Sequence, residues 1–397
     1  MYTSQSHRRV RGVIPQWPPP PQTRRVRRPL GAVRWLWAAL GVVVVAGVVV
    51  VVVRPGSTPT RAIQSTDVGT TSPTTTARVV ASSTIPSAPS TTKAPVAPST
   101  AAASGPVKAQ SVPLGDYAGE SNPAGIAAFA ASTGAHPVLA TDYLDKTDGW
   151  DDMDSAANVA GWSHTPYRLV LGVSILPGTG TMAQGATGAY DQYFTILAHN
   201  LIADDEANAI LRLGWEFNGN WFPWSVATAA QASDFAAYWR QIVTTMRAVP
   251  GEQFQFLWNP NGPSPTSYSP DQAYPGDAYV DYVGTDDYDN YWGNGAFVPS
   301  VAWQNQLNQQ WGLDWLVSFA AEHHKAIAIP EWSDEYRPDG HGLGDDPSFI
   351  DHMAAWFVAN KVAFADVWCY DSSATYRNDL LDGTFPKALA EFKLDFG

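Results

Sequence analysis

The stretch ILRLGWEFNGNWFPW (residues 210–224) opens as an apolar run and closes in carboxylate, amide and aromatic side chains. Its first eight residues, ILRLGWEF (210–217), have the length and texture of a buried strand. Seven other segments share that texture. They are VPLGDYAG (112–119), HPVLATDYL (136–144), YRLVLGVSIL (167–176), FQFLWNP (254–260), YVGTDDYD (282–289), AIAIPEW (326–332) and FADVWCYD (364–371). Helical patterns lie between them, including AAQASDFAAYWRQIVTTMRAV (229–249) and WQNQLNQQWGLDWLVSFAAEHH (303–324). In the first of these, Phe235, Trp239, Ile242 and Met246 recur at steps of three and four, so they share one face. Strands alternating with helices argue for a parallel sheet, and eight such units predict a (β/α)8 TIM barrel over residues 112–397. A doubly wound open sheet competes, but no glycine-rich phosphate loop follows the first strand.

Outward from this region the physics changes. Residues 1–54 hold nine Arg and no acid, residues 55–111 carry a further +3, and the whole chain carries −13, which leaves −25 on residues 112–397. So acidic a domain repels nucleic acid, whose phosphates must be neutralised by Lys and Arg. From Trp35 to Val53 no side chain is charged or polar. As a helix that stretch is about 28 Å long, against roughly 30 Å of bilayer hydrocarbon. Residues 35–53 are therefore expected to form a transmembrane signal-anchor helix. The Arg-rich flank keeps residues 1–34 cytoplasmic and places everything beyond residue 54 outside the cell membrane. Residues 54–111 are dominated by Ser, Thr, Pro and Ala, a composition that cannot bury enough apolar surface to fold. They read as a disordered stalk. The lone Cys369 excludes an internal disulfide framework and is expected to be a small buried residue.

In a TIM barrel the active site lies at the C-terminal strand ends. Those ends carry Asp142-Tyr143, Trp215-Glu216-Phe217-Asn218, Trp221, Trp258, Asn259, Asn261, Tyr288, Glu331, Trp368 and Tyr370. Carboxylates, amides and rings on one rim suit a sugar, whose C–H faces pack on aromatics while its hydroxyls seek polar partners. Glycoside hydrolysis needs two carboxyl groups, and Glu216 and Glu331 each close a strand. Asp286, Asp287 and Asp289 form an acidic run without the spacing of a calcium loop, so no metal or other cofactor is expected.

The segment RLGWEFNGNWFPW (212–224) resembles the strand-four signature of glycoside hydrolase family 26, known for β-mannanases. It keeps the family's Arg212, Glu216, Asn218, Gly219 and Trp221 in their usual spacing, with IPEWSD (329–334) and GTDDYD (284–289) in strand order beyond. The resemblance implies that Glu216 is the general acid/base and Glu331 the nucleophile of a retaining endo-β-glycosidase. It further implies a raised pKa for Glu216 and a carboxyl separation of about 5–5.5 Å. Tyr288 would hydrogen-bond Glu331, Trp368 would floor the cleavage point and Trp221 would line the site. Trp215, Asn218, Trp258 and Asp142 complete the expected substrate contacts. The chain departs from the family in having Trp215 where His is usual and Leu213 where Pro is usual. A β-mannan is the leading substrate, with a β-glucan, a xylan or a cell-envelope glycan as alternatives. A non-catalytic carbohydrate-binding barrel is the reading of a different class; it would keep the aromatic rim without requiring both Glu.

Overall fold

The computed structural model describes residues 109–397 except 145–148, 263–265, 267 and 294–297. The expected cytoplasmic tail, membrane span and most of the stalk lie outside the described residues, and among those described no helix is long and apolar enough to cross a membrane. The expected stalk boundary at 111 moves inward. Ala109 is buried and donates its N–H to the Asp395 carbonyl at 2.9 Å, so the folded unit already includes it.

All eight expected strands form, and they pair in parallel: β1 (Leu114–Tyr117), β2 (Leu139–Tyr143), β3 (Arg168–Val173), β4 (Ile210–Leu213), β5 (Gln255–Trp258), β6 (Tyr282–Tyr288), β7 (Ala326–Ser333) and β8 (Phe364–Trp368). The ladder runs β1-β8-β7-β6-β5-β4-β3-β2, and the Val138 N–H donates to the Leu114 carbonyl at 2.8 Å, joining the approach to β2 to β1 and closing the barrel. Around it stand α1 (Pro123–Thr133), α2 (Trp150–Ser155), α3 (Met182–Gly185), α4 (Asp191–Ala203), α5 (Ala229–Arg247), α6 (Pro299–Asn308), α7 (Leu313–His323), α8 (Pro347–Asn360) and α9 (Pro386–Asp395). The face read on α5 is the buried one: Phe235, Trp239, Ile242 and Met246 are all inaccessible.

Two connections depart from the pattern. Between β5 and β6 the described residues form two 3-10 turns, Pro270–Ala273 and Asp277–Tyr279, in place of an α-helix. The stretch expected as one helix over 303–324 breaks into α6 and α7 at Gln309–Gly312. There Trp311 takes a left-handed φ of 60° and Gly312 supplies the extended residue that starts α7.

Strand periodicity sorts the barrel interior into layers, because alternate residues of each strand face the same way. Leu139, Val170, Ile210, Leu257, Ala328 and Phe364 form an apolar plug. Two residues further along their strands stand Thr141, Gly172, Arg212, Asn259 and Asp366, a polar layer in which the Thr141 hydroxyl donates to Asp366 at 2.7 Å. Two further on, Tyr143 and Trp368 reach the mouth. The intervening residues face the helices. Trp332 packs against Phe349, Phe357, Phe392 and Phe396, and Trp258 against Phe217, Tyr274 and Phe319.

One strand breaks this count. Gly284 and Asp286 of β6 pair with Ala328 and Glu331 of β7, two residues against three. The same offset separates Ile329 and Trp332 from their β8 partners Ala365 and Val367. The extra residue is a β-bulge around Pro330, whose missing N–H cannot serve a ladder. Strict alternation from Ala328 would aim Pro330 inward and Glu331 at the helices. The bulge brings Glu331 into the barrel mouth instead.

Burial raises several carboxyl pKa values: Asp142 to about 6, Asp366 to about 7 and Asp287 to about 8. The folded chain then holds these protons more tightly than the unfolded chain, whose Asp value is about 3.9. That contribution is complete below the unfolded value and is lost as pH rises through about 6 to 8. Urea unfolding should therefore report a less stable fold at pH 8.5 than at pH 5.5, by at least about 1.4 kcal/mol, the equivalent of one pKa unit. Equal or greater stability at the higher pH would show that these carboxyls are not held protonated by the fold.

Candidate active site

The polar layer centres on Arg212, which is fully buried. Its Nε donates to Asn259 Oδ1 at 2.9 Å, its Nη1 to the Tyr143 hydroxyl at 2.7 Å, and its Nη2 to both Asp286 oxygens (2.9 and 2.8 Å) and to Glu331 Oε1 (2.8 Å). Burial works against the charge, but Asp286, Tyr143 and Glu331 outweigh it and raise the Arg212 pKa further. One guanidinium thus joins side chains from β2, β4, β6 and β7 and the residue that follows β5.

Glu331 is held as an acceptor. Besides Arg212, the Tyr143 hydroxyl donates to Oε1 at 2.6 Å and the Tyr288 hydroxyl to Oε2 at 2.7 Å. Burial, foremost, pushes both phenol pKa values well up, so each keeps the proton it donates. Room for the Tyr143 ring comes from its ladder partner in β3, Gly172: a Cβ there would lie 2.4 Å from the ring.

Glu216 follows β4 in a turn and takes a left-handed φ of 51°, a conformation uncommon outside glycine that recurs at functional sites. Its N–H donates to the Asn259 carbonyl at 2.8 Å. Its carboxylate accepts from the Asn261 amide (2.7 Å) on Oε1 and from the Trp221 indole (2.8 Å) on Oε2. Gly219 permits the second bond, because a Cβ at that position would stand 2.5 Å from the Trp221 ring. Glu216 and Glu331 line one open cleft of about 200 Å³ with Tyr143, Trp215, Phe222, Tyr288, Trp368, Glu335 and Tyr376. Two glutamates therefore share a cleft in different settings, one beside a guanidinium and two phenols, the other receiving an amide and an indole.

Of the residues expected at the site, Glu216, Glu331, Trp215, Tyr288 and Trp368 line this cleft. Trp221 is 46% exposed at its edge, its indole on Glu216. Three others are placed differently. Asp142 is fully buried, and its oxygens are occupied by the Trp162 indole and the backbone N–H groups of Ser121 and Tyr143. It braces the end of β2 and offers no open oxygen to a sugar. Asn218, also buried, exchanges two hydrogen bonds with the Asn261 backbone (2.6 and 2.7 Å), fixing the residue that reaches Glu216. Trp258 is inaccessible in the packing between barrel and helices; its neighbour Asn259 is the residue turned to the mouth. His341 stacks on Trp292 at 3.8 Å and does not line the cleft.

Phe222, Glu335 and Tyr376 are absent from the expected rim, and Tyr143, which stands on it, has no role assigned from sequence; Asn261, also on it, reaches Glu216. For Tyr143 a signal existed in the alternation of LATDY: only one of the adjacent Asp142 and Tyr143 can share the inward face of Leu139 and Thr141, and it is Tyr143.

The family model for glycosyl hydrolase family 26 matches residues 192–315, about a third of the chain, which includes Glu216 and Tyr288 and stops short of Glu331. A mannan endo-1,4-beta-mannosidase of Bifidobacterium adolescentis is 31% identical over 163 residues, 38% of this chain and 15% of that protein. Endoglucanase H of Acetivibrio thermocellus is 31% identical over 134 residues, 32% of this chain and 13% of that protein. The chain thus spans less than a sixth of the length of these two relatives. Among solved structures, a modular endo-beta-1,4-mannanase from Cellulomonas fimi superposes with a TM-score of 0.52 at 17% identity, over 72% of this chain and 70% of that one. GH26C from Muricauda sp. MAR_2010_75 gives 0.52 at 18% identity, over 72% and 85%. At such identities the likeness shows the fold.

Replacing Arg212 should destabilise the fold strongly, because Asp286 and Glu331 would remain buried without their counter-charge. Arg212→Met is expected to cost about 3–5 kcal/mol in chemical denaturation, whereas Tyr143→Phe should cost about 1 kcal/mol for its hydrogen bonds. A loss under about 1 kcal/mol for Arg212→Met would contradict the central place given to this side chain.

Proposed function

We propose that this chain, a member of glycosyl hydrolase family 26, is a retaining endo-β-glycosidase acting on a polysaccharide, with Glu216 as general acid/base and Glu331 as nucleophile. The observation that carries this reading is the contrast between the two carboxyls across the cleft. Glu331 has three donors on it, including a guanidinium, and enters the reaction as a carboxylate. Glu216 stands at the open side with the Trp221 indole beside it, where a leaving group can be reached.

In the first step a Glu331 oxygen bonds to the anomeric carbon while the glycosidic C–O bond breaks and Glu216 delivers its proton to the departing oxygen. In the second, Glu216 takes a proton from water, whose oxygen displaces Glu331 and returns the anomeric configuration to that of the substrate. Tyr143 and Tyr288 keep Glu331 oriented throughout, and the Trp368 ring in the cleft offers a face for the sugar. A carbohydrate-binding barrel without catalysis would need neither the buried Arg212 network nor a second carboxylate.

A β-mannan is the first substrate to test, supported by the mannosidase and mannanase likenesses. A β-glucan is the second, supported by the endoglucanase. Trp215 bears on the choice: it borders the cleft where the family usually has an imidazole, but it is 2% exposed and packed among Tyr143, Phe222 and Trp224, so a hydrogen-bonding group is replaced by a buried ring. The sequence of residues 1–108 supports a location outside the cell membrane, with residues 35–53 as anchor, residues 54–108 as tether and residues 109–397 as the catalytic domain.

Hydrolysis assays on β-mannan, mixed-linkage β-glucan, xylan and cell-envelope glycan should find one polymer cut with retention, followed by NMR of the first-formed anomer. Glu216→Gln should lose at least about a hundredfold on that polymer yet retain much of its first step on an aryl glycoside, whose leaving group needs no proton. Glu331→Gln should lose both. Inversion, or either variant working at the original rate on the polymer, would refute the assignment.

A further inference from the structure

A second carboxylate group lies away from the cleft, between the last two helices. Asp351 belongs to α8, and Glu391 and Asp395 sit four residues apart on α9, hence on one face of that helix. One oxygen from each of the three lies within 4.8 Å of the other two. Such a cluster on a surface is ordinary, but Asp395 is not at the surface. Its residue is 0% exposed, and neither of its carboxylate oxygens has a hydrogen-bond donor among the described residues. No Lys, Arg or His there forms an ion pair with any of the three. An unpartnered buried carboxylate facing two others is costly unless something positive lies between them.

We propose that Asp351, Glu391 and Asp395 form a structural divalent-cation site that takes calcium and pins α9 to α8. The donor set is all oxygen, without the imidazole or thiolate that zinc favours. Calcium–oxygen distances of about 2.3–2.6 Å put opposing ligands about 4.6–5.2 Å apart, so three oxygens within 4.8 Å of one another can share one ion. Water would complete the coordination. Sequence spacing does not reveal the site, because its ligands come from two helices and not from a calcium-binding loop. None of the three lines the cleft, and the site stands independently of the proposed reaction. Its role is mechanical: the Asp395 carbonyl also receives the Ala109 N–H, so the ion would lock the point where the beginning of the folded unit meets its end.

The test uses the full chain in mild detergent at pH 8, freed of metal with a chelator that is then removed. Calcium titrated by calorimetry should bind once per chain. At a hundredfold excess over its Kd it should raise the Tm by about 5 °C. Asp351→Asn and Asp395→Asn should each abolish or greatly weaken both signals; if the second fails to fold, the first, on α8, decides. Sodium chloride at matched ionic strength should not reproduce the shift. The proposal is overturned by an absence of binding up to about 5 mM calcium, beyond the weakest range for extracellular modules. Binding that survives the substitutions overturns it too. So does stabilisation of the metal-free chain on acidification without any calcium response, which would identify a shared proton as the compensating charge.

Discussion

A single buried guanidinium organises the working end of this barrel. Burying a charge costs several kcal/mol before any partner is counted, and the cost is met only where geometry supplies near-ideal partners. Arg212 obtains them from an amide, a phenol and two carboxylates that start on different strands, so those strands must end at matched heights for any of the bonds to form. The apolar plug beneath excludes water and makes the requirement strict. Position and charge of Glu331 therefore follow from the same constraint that holds the barrel mouth together. Removing Arg212 would damage fold and site at once, which separates it from residues such as Trp221 that serve the cleft edge alone.

Much of this was legible in the sequence, and what was not has identifiable causes. Parallel strands buried on both faces read as continuous apolar runs, so the eight strands could be located without ambiguity of type. The two glutamates followed, since each closes such a run. Which of two adjacent residues faces the mouth is a different question. Chemistry alone favours Asp142 and Trp258, yet Tyr143 and Asn259 occupy the inward positions, as alternation from Leu139 and Leu257 requires. Asn218 failed for another reason: it lies in a turn, where no periodicity applies, and its bonding to Asn261 joins loops 43 residues apart. The break between α6 and α7 was equally hidden, because Gln-rich sequence keeps helical texture through the four residues that interrupt it.

The cleft is a layered construction of successive shells around the buried Arg212. The inner shell of Arg212, Asn259 and Asp286 never meets solvent. The next, of Glu331, Tyr143 and Tyr288, lines the cleft. The outermost, of Phe222, Trp368 and Tyr376, supplies ring faces. Trp215, where the family usually has His, is 2% exposed and packs among Tyr143, Phe222 and Trp224, so it braces these shells from the side.

The bulge at Pro330 has an implication for how such a chain can change over time. Everywhere else the reading frame of the barrel is a two-beat count, and a substitution alters one beat without disturbing the rest. At β7 the count carries an inserted beat, and the identity of the residue in the mouth depends on the bulge that absorbs it. Flattening the bulge at unchanged length would rotate Glu331 out and bring Trp332, now packed among four phenylalanines, toward the cleft, whereas removal of the extra residue would restore plain alternation with Glu331 still inward. What is confined through this strand is the pairing of length with irregularity: the extra residue and the bulge that absorbs it can be gained or lost only together if the same side chain is to face the mouth.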